Sequence, residues 1–475
     1  MREISDRQGE NKVTKSGTRD LTSGSPMKLI WQFAIPLIFG NLFQQLYNMV
    51  DTVIVGRALG LSALTAVGAT GPVNFLIIGF ALGTCNGLAI PVARQFGAKR
   101  YDSMRAYVMN AAYLSAGLAV VLTLLTTILC DNILTWMKTP AEIFQGSYDY
   151  FFVICLGIPF TILYNVVSGV IRALGDSKTP FYFLVLSTFL NIGLDFLFIL
   201  GFQMGIAGAA WATITAQAVA GILCFLYMRR TYEVLRSNQE ERRVRGRYLG
   251  ELAWTAFPMG LQFSVTAIGS IMLQSAVNGL DVLYVSAFAA GAKVKQLAMC
   301  PFEALATACA TFGSQNLGAG RIDRIRKGLG SGILIGFIYA VLMGILLVTA
   351  GSVIAWMFVE RSEVEVLAEV QHYMTWLGVF FWMLAILNCT RMTIQGLGYS
   401  GIAVFAGISE LIARGLVSLL LVPRLGFTGV CIADPAAWLA ATLIVVPVFA
   451  VIVRKLGNLP KTVSRNEDVR ISKNK

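Results

Sequence analysis

The sequence predicts an all-α polytopic membrane protein, with twelve transmembrane helices in two six-helix bundles related by a pseudo-two-fold axis along the membrane normal. Three observations carry this. Only 13% of the 475 residues are charged, about half the roughly 25% of a soluble domain, and mean hydropathy is +0.68. Apolar runs of about 20 residues recur from end to end, each long enough to cross ~30 Å of hydrocarbon as a helix. A glycine-marked pattern also occurs twice in the same order.

The duplication is read from three echoes. Phe96-Gly97-Ala98-Lys99-Arg100-Tyr101-Asp102 returns as Leu317-Gly318-Ala319-Gly320-Arg321-Ile322-Asp323, a shift of 221. Gly205-Ile206-Ala207-Gly208 returns at the same shift of 221 as Gly426-Phe427-Thr428-Gly429. Ala173-Leu174-Gly175-Asp176-Ser177 matches Gly396-Leu397-Gly398-Tyr399-Ser400 at a shift of 223. Three ordered matches at nearly one offset argue for one bundle written twice, an arrangement typical of transporters. A membrane scaffold or receptor with an ancient repeat is the plainer alternative.

Composition narrows the class further. A net charge of +12 reads here as the positive bias of membrane loops, not as a nucleic-acid footprint. The eight cysteines are scattered through apolar segments without a CxxC pair and behave as small apolar residues. One histidine, His372, excludes a multi-histidine metal site. Residues 1–27 are polar, without the apolar core of a signal peptide, and read as a flexible cytoplasmic tail.

The twelve runs lie at 28–55, 62–93, 105–129, 147–171, 180–201, 206–228, 250–279, 285–314, 328–357, 366–394, 401–423 and 428–453. Lysine and arginine set their direction. The N-terminal tail, the loops after spans 2, 4 and 8, and the C-terminal tail are basic, while Asp131, Glu142 and Asp149, then Glu360, Glu363, Glu365 and Glu369, mark the other side. Both termini are expected in the cytoplasm of a cell (plasma or inner) membrane. A basic linker at 229–249 separates a first lobe, 28–228, from a second, 250–454, with a tail at 455–475. Six spans is an even number, so both lobes enter in the same sense with a cavity between them.

Ionisable groups inside a membrane are costly and therefore functional candidates. Asp51 closes Leu46-Tyr47-Asn48-Met49-Val50-Asp51, late in span 1. Asp195 lies in span 5 with Asn191 one turn before it on the same face. At 1.5 Å per residue, Asp195 sits about 22 Å from the inner end of its helix and Asp51 about 34 Å along span 1. Thr213, about 10 Å from the outer end of span 6, shares their level in the outer half of the bilayer. Such a cluster suits Na⁺ held by oxygens, or a proton held between two carboxylates that repel one another. The plainer reading is that each acid caps an unwound helix or pairs with a base; Arg57, just beyond Asp51, is the nearest such base in the sequence.

The second half is different. Glu410 and Arg414, four apart, are expected to pair on one face as a structural unit. Lys293 and Glu303 on span 8 are weaker cavity candidates, and Lys295 is expected to snorkel. Arg94, Arg172 and Arg391 are expected at headgroups or loop caps. Aromatic and methionine residues (Trp31, Tyr47, Met272, Trp376, Trp382) suit a promiscuous cavity or ordinary packing equally well.

These segments, with Val170-Ile171-Arg172-Ala173-Leu174-Gly175-Asp176, Leu190-Asn191-Ile192-Gly193-Leu194-Asp195, Gly208-Ala209-Ala210-Trp211-Ala212-Thr213 and Gln315-Asn316-Leu317-Gly318-Ala319, resemble the multidrug and toxic compound extrusion (MATE) family. The resemblance runs from about Lys28 to Lys455. It implies an antiporter that expels organic, often cationic and aromatic, compounds in exchange for H⁺ or Na⁺ as two lobes rock around a central cavity. Its DinF-like bacterial branch takes up the coupling ion on first-lobe acids, which maps that role onto Asp51, Asn191, Asp195 and Thr213, with Asn165 a weaker, deeper candidate. Another branch uses an acid in span 7; here Phe257-Pro258-Met259-Gly260-Leu261-Gln262-Phe263-Ser264-Val265-Thr266 holds none, which favours the first lobe.

The expected function is thus multidrug efflux by antiport. The alternative is a flippase or exporter of a lipid-linked or amphipathic metabolite, which Lys293 keeps open. An intramembrane enzyme would need a catalytic constellation or a DDxxD-like metal motif, and a passive channel a symmetric pore; neither is read here. The expected partners are small organic substrates and the bilayer, with no nucleic acid, no metal beyond Na⁺ at Asp51 and Asp195, no cofactor beyond the coupling ion, and a monomeric state.

Overall fold

A computed structural model describes residues 17–458, helical almost throughout. The helices are α1 (Pro26–Leu59), α2 (Leu61–Gly97), α3 (Tyr101–Ile128), α4 (Ala141–Leu156 with Ile158–Ala173), α5 (Lys178–Asp195), α6 (Gly205–Thr231), α7 (Gly246–Val277), α8 (Val282–Gly318), α9 (Ile322–Ala355), α10 (Val364–Phe380 with Trp382–Gly396), α11 (Ser400–Leu416) and α12 (Phe427–Gly457). Among the described residues, nine are long and apolar enough to span a membrane, eleven when each bent pair is one span. The twelfth, α8, has 37 residues but carries Lys293, Lys295 and Glu303 along its length.

Most observed helices outrun the predicted spans by up to a turn. Hydropathy marks only the part that meets hydrocarbon, whereas the backbone hydrogen-bond ladder continues into the polar ends. Three features were not legible in composition: the short helix Cys130–Trp136 and two π-helical turns, Phe196–Gly201 after α5 and Val417–Leu421 after α11. The duplication is repeated in this geometry. α4 bends by 43° and α10 by 56°, and the π turns occupy equivalent places in the two lobes.

Each lobe has its own core. One gathers Phe151, Ile162 and Ile171 with residues of α2 and α3; the other gathers Phe302, Tyr373 and Trp438 across α8, α10 and α12. The lobes meet on the face that carries the basic loops. A Cβ at Gly87 would lie 2.4 Å from Ala256 Cα, and one at Gly83 would lie 2.6 Å from the Met259 carbonyl. Lipid provides no hydrophobic drive between helices, so such small-residue contacts let α2 and α7 gain dispersion energy instead. A further cluster seats Leu29 and Phe33 of α1 against Leu305 and Phe312 of α8. Toward the other face Gly68 and Gly71 of α2 meet nothing within 4 Å, and Phe75 is exposed. The lobes close on the basic side and part on the other.

Residues 17–25, expected in a flexible tail, are instead packed across this closed side; residues 1–16 lie outside the described residues. Arg19 N donates to the Leu174 carbonyl at 2.9 Å, and Leu21 is 1% exposed. The Arg321 guanidinium donates to the Thr22 carbonyl at 2.7 Å, and Arg324 to the Gly24 carbonyl at 2.9 Å. Gly175, at φ 86°, admits the strap because a Cβ there would meet the Arg19 carbonyl oxygen at 2.0 Å. The sequence shows only a polar stretch; its partners are some 150 to 300 positions away and leave no local signal.

The basic linker is also fixed. Arg105 Nε donates to both oxygens of Glu241, at 2.9 and 2.8 Å. Arg245 N donates to Asn110 Oδ1 at 2.9 Å, and the Tyr113 hydroxyl to the Arg242 carbonyl at 2.8 Å.

Candidate functional site

Four polar residues predicted from three helices converge in the first lobe. Asp195 is the last α-helical residue of α5, directly before the π turn; wide turns of this kind free backbone groups and recur at functional sites. Asn191, one turn earlier, is buried and shares its face. The Asn191 amide donates to Thr213 Oγ1 of α6 at 3.4 Å. Asp51 of α1 faces Asp195 closely enough for the two carboxyls to interact.

No donor answers these acids. Both oxygens of Asp195, Asp51 Oδ1 and Asn191 Oδ1 are buried without a hydrogen-bond partner among the described residues. Arg57 is exposed and forms no ion pair with either acid among the described residues. Two carboxyls and an amide oxygen are therefore buried in this region with no positive side chain paired to them among the described residues, and such burial is costly unless charge is neutralised or paired.

Sequence reading missed the second ring of the site. Tyr47, one turn before Asp51 on the same face, lies within hydrogen-bonding range of Gln44 and Gln217, and Tyr150 of α4 packs in one cluster with Ile54 and Val55, the turn after Asp51. The i, i+4 spacing of Tyr47 and Asp51 was the available signal; Tyr150 and Gln217 had none. Asn165 does not touch the acids. Its amide donates to the Thr161 carbonyl at 2.8 Å, and Thr161 reaches Gln217 through its hydroxyl.

In the second lobe Asp434 of α12, unremarked in the sequence, organises the buried charges. Lys295, expected to snorkel, pairs with it at 2.7 Å because α12 brings an acid to its side. Arg414 Nε lies 3.2 Å from Asp434, whereas its Nη1 lies 3.7 Å from Glu410, so the expected Glu410–Arg414 pair is present but is the longer of the two. Glu410 is held instead by Arg391 at 2.7 Å, which places Arg391 inside the bundle and not at a loop cap. The Tyr373 hydroxyl donates to Asp434 at 3.1 Å. Arg94, expected at headgroups, pairs with Glu251 of α7 at 3.3 Å. Lys293 and Glu303 are exposed on α8. The first lobe keeps Asp51 and Asp195 unanswered; the second pairs Glu410 and Asp434 with bases.

Comparison with known proteins agrees with this two-lobe reading. The MatE family model matches twice, over residues 36–197 and 258–419, more than half of the chain. The chain is 28% identical over 424 residues to "Probable multidrug resistance protein YoeA" of Bacillus subtilis, covering 87% of this chain and 91% of that protein. It is 25% identical over 307 residues to the "FAD transporter" of Shewanella oneidensis, covering 64% and 68% respectively. A multidrug resistance MATE family transporter of the MOP superfamily, in an outward-facing conformation, superposes with a TM-score of 0.87 at 23% identity, over 92% of this chain and 98% of that one. A MATE crystallised with MaL6 gives a TM-score of 0.87 at 22% identity, over 92% and 99%. The duplicated helical frame and the twofold family match make this chain a member of the MatE family of multidrug efflux transporters, multi-pass membrane proteins that move small molecules and do not transform them.

Proposed function

We propose that this chain is an antiporter in which Asp51 and Asp195, with Asn191 and Thr213, take up the coupling cation. The carrying observation is the set of buried, unanswered oxygens on Asp51, Asp195 and Asn191. A proton shared by the two carboxyls, or Na⁺ seated among them and Thr213 Oγ1, removes the charge imbalance that burial makes costly. Loading the site changes the charge of the first lobe, which is how an ion biases a two-lobe equilibrium. The basic face is cytoplasmic, with both termini, by the excess of lysine and arginine in its loops. The closed side is then the inner one, and the lobes part outward in a cell membrane. Cargo is an organic compound carried by a monomer in the cleft. Export of a larger amphipathic metabolite is a second reading, favoured by the likeness to a FAD transporter.

The test is uptake of a cationic fluorescent dye into proteoliposomes, driven by a pH gradient alone or a Na⁺ gradient alone. Asp51→Asn and Asp195→Asn should each abolish driven uptake in protein that remains monodisperse, and the gradient that drives wild type names the ion. Wild-type uptake in both variants removes the first-lobe site.

A further inference from the structure

The arginines at the linker between the lobes fall into two groups. Arg105, which clamps Glu241, and Arg236, Arg245 and Arg247 each have a carboxylate within 4 Å. Arg229, Arg230, Arg242 and Arg243 have none among the described residues, and all four are exposed. Arg229 lies over the Phe225 ring at 5.8 Å, and Arg242 Nε donates to Ser237 Oγ at 3.2 Å. Neither contact removes charge, so four positive charges stand on one short stretch without an acid to answer them.

The backbone that carries Arg242 and Arg243 is fixed along α3. The Asn110 amide donates to the Arg243 carbonyl at 3.3 Å, and Asn238 N donates to Glu241 at 2.8 Å. Charges on an ordered backbone lose less freedom on binding than charges on a loose chain. Val244, flanked by arginine on both sides, is 64% exposed. Exposed aromatic side chains border the same patch: Tyr113 of α3, Tyr227 one turn before the end of α6, and Trp254 two turns inside α7. The Tyr113 hydroxyl bonds the Arg242 carbonyl, which ties that ring to the linker. Tyrosine and tryptophan settle at the headgroup level of a bilayer, so the arginines stand beside the lipid phosphates.

We propose that Arg229, Arg230, Arg242 and Arg243, grouped around Val244, form a docking surface for anionic phospholipid headgroups. The guanidinium fork matches phosphate oxygens two at a time, and Val244 adds a small apolar contact at the acyl boundary. A zwitterionic lipid carries its own ammonium beside the phosphate, whereas an anionic lipid does not, so the unanswered charge of the patch selects the anionic one. The linker is the covalent connection between the lobes, and docking anchors that connection to the bilayer surface. Which leaflet this is rests on the orientation read from the basic loops. The binding itself requires no orientation, gradient or cargo.

The experiment is hydrogen exchange of the full chain in nanodiscs, at one bulk pH. It compares phosphatidylcholine alone with phosphatidylcholine mixed with phosphatidylglycerol. Protection of residues 241–246 should rise about tenfold when phosphatidylglycerol is present. Residues 98–101 and 319–322, in basic loops of the same face, control for the lower pH at a charged surface and should gain much less. An equal gain in all three segments reflects surface potential alone and overturns the docking surface. Arg242→Gln combined with Arg243→Gln should reduce the gain at the linker to that of the control loops; an undiminished gain overturns the proposal. If that variant is not monodisperse, the wild type decides: high salt should abolish the excess over the control loops, because exposed charges are screened, and an excess that survives overturns it. Glycerol 1-phosphate added to phosphatidylcholine nanodiscs should give no gain; a gain there assigns the patch to free phosphate and removes the lipid surface. Gradient-driven dye uptake can fail with this protection intact, and the protection can fail with uptake intact, so the two readings fall separately.

Discussion

The backbone amide of Leu21 donates to Oε1 of Gln315 at 2.9 Å, across 294 positions of sequence. The same side chain donates through Nε2 to the Ala173 carbonyl at 2.8 Å. One glutamine at the foot of α8 thus holds the N-terminal strap and the first lobe together across the closed basic face. Gln315→Leu should remove about 2 kcal/mol of support for the closed side, enough to shift a two-state population more than tenfold. Spin labels at Lys99→Cys and Lys327→Cys should report a larger fraction of long distances in that variant. An unchanged distance distribution would exclude the strap as a determinant of closure.

Close approach of α2 and α7 supports the same state by packing. Gly87→Val places two methyl groups where Ala256 backbone already stands, and overpacking of this kind costs about 1–3 kcal/mol. The variant should also open the basic side in the spin-label measurement, whereas Gly71→Val, in the half of α2 with free space around it, should not. Similar traces from the two variants would mean that this contact does not decide which side is shut.

How much of this was legible beforehand follows from the range of the interactions. Helix number, duplication and the meeting of Asp51, Asn191, Asp195 and Thr213 rest on local periodicity and rise per residue, which a sequence states directly. Asp434 escaped notice because it sits alone between alanine and proline, and its partners Lys295 and Arg414 come from two other helices. The strap escaped for the same reason, being polar in composition and buried only by residues far along the chain. Arg172 was placed by depth correctly but by direction wrongly, its guanidinium donating instead to Asn86 Oδ1 of α2 at 3.2 Å, since depth does not say which way a long side chain turns.

Linker attachment should depend on pH. The Arg105 guanidinium holds the Glu241 carboxyl below the usual glutamate range. A carboxyl lowered in the folded state contributes stability that is complete above its unfolded value and is lost as pH falls through the folded one. The linker should therefore stay protected near neutrality and loosen below about pH 4. Protection of residues 236–245, corrected for the intrinsic pH dependence of amide exchange, should fall on acidification in wild type and should already be low at neutral pH in Glu241→Gln. Wild-type protection at neutral pH in that variant would show the clamp to be dispensable.

The two lobes should respond oppositely to loss of an acid. Asp434→Asn leaves Lys295 and Arg414 without their shared partner, and breaking such a buried pair costs about 3–5 kcal/mol. Asp195→Asn relieves a repulsion and breaks no ion pair, so its unfolding temperature should match or exceed wild type. Thermal unfolding in detergent compares them directly; equal destabilisation by both would contradict the difference between a paired and an unanswered acid.

Asp434 also stands 221 residues after Thr213, the shift that relates the glycine echoes around it, and Tyr373 stands 223 after Tyr150. The acid that quiets the second lobe therefore occupies the place of the threonine beside the first lobe's acids, with the same tyrosine looking on. What the duplication preserved is a socket, and each copy has been wired separately: one holds acids that no base answers, the other is shorted by its own bases. Asp434 with Lys295 and Arg414 marks where rewiring would give the second copy the unpaired character of the first.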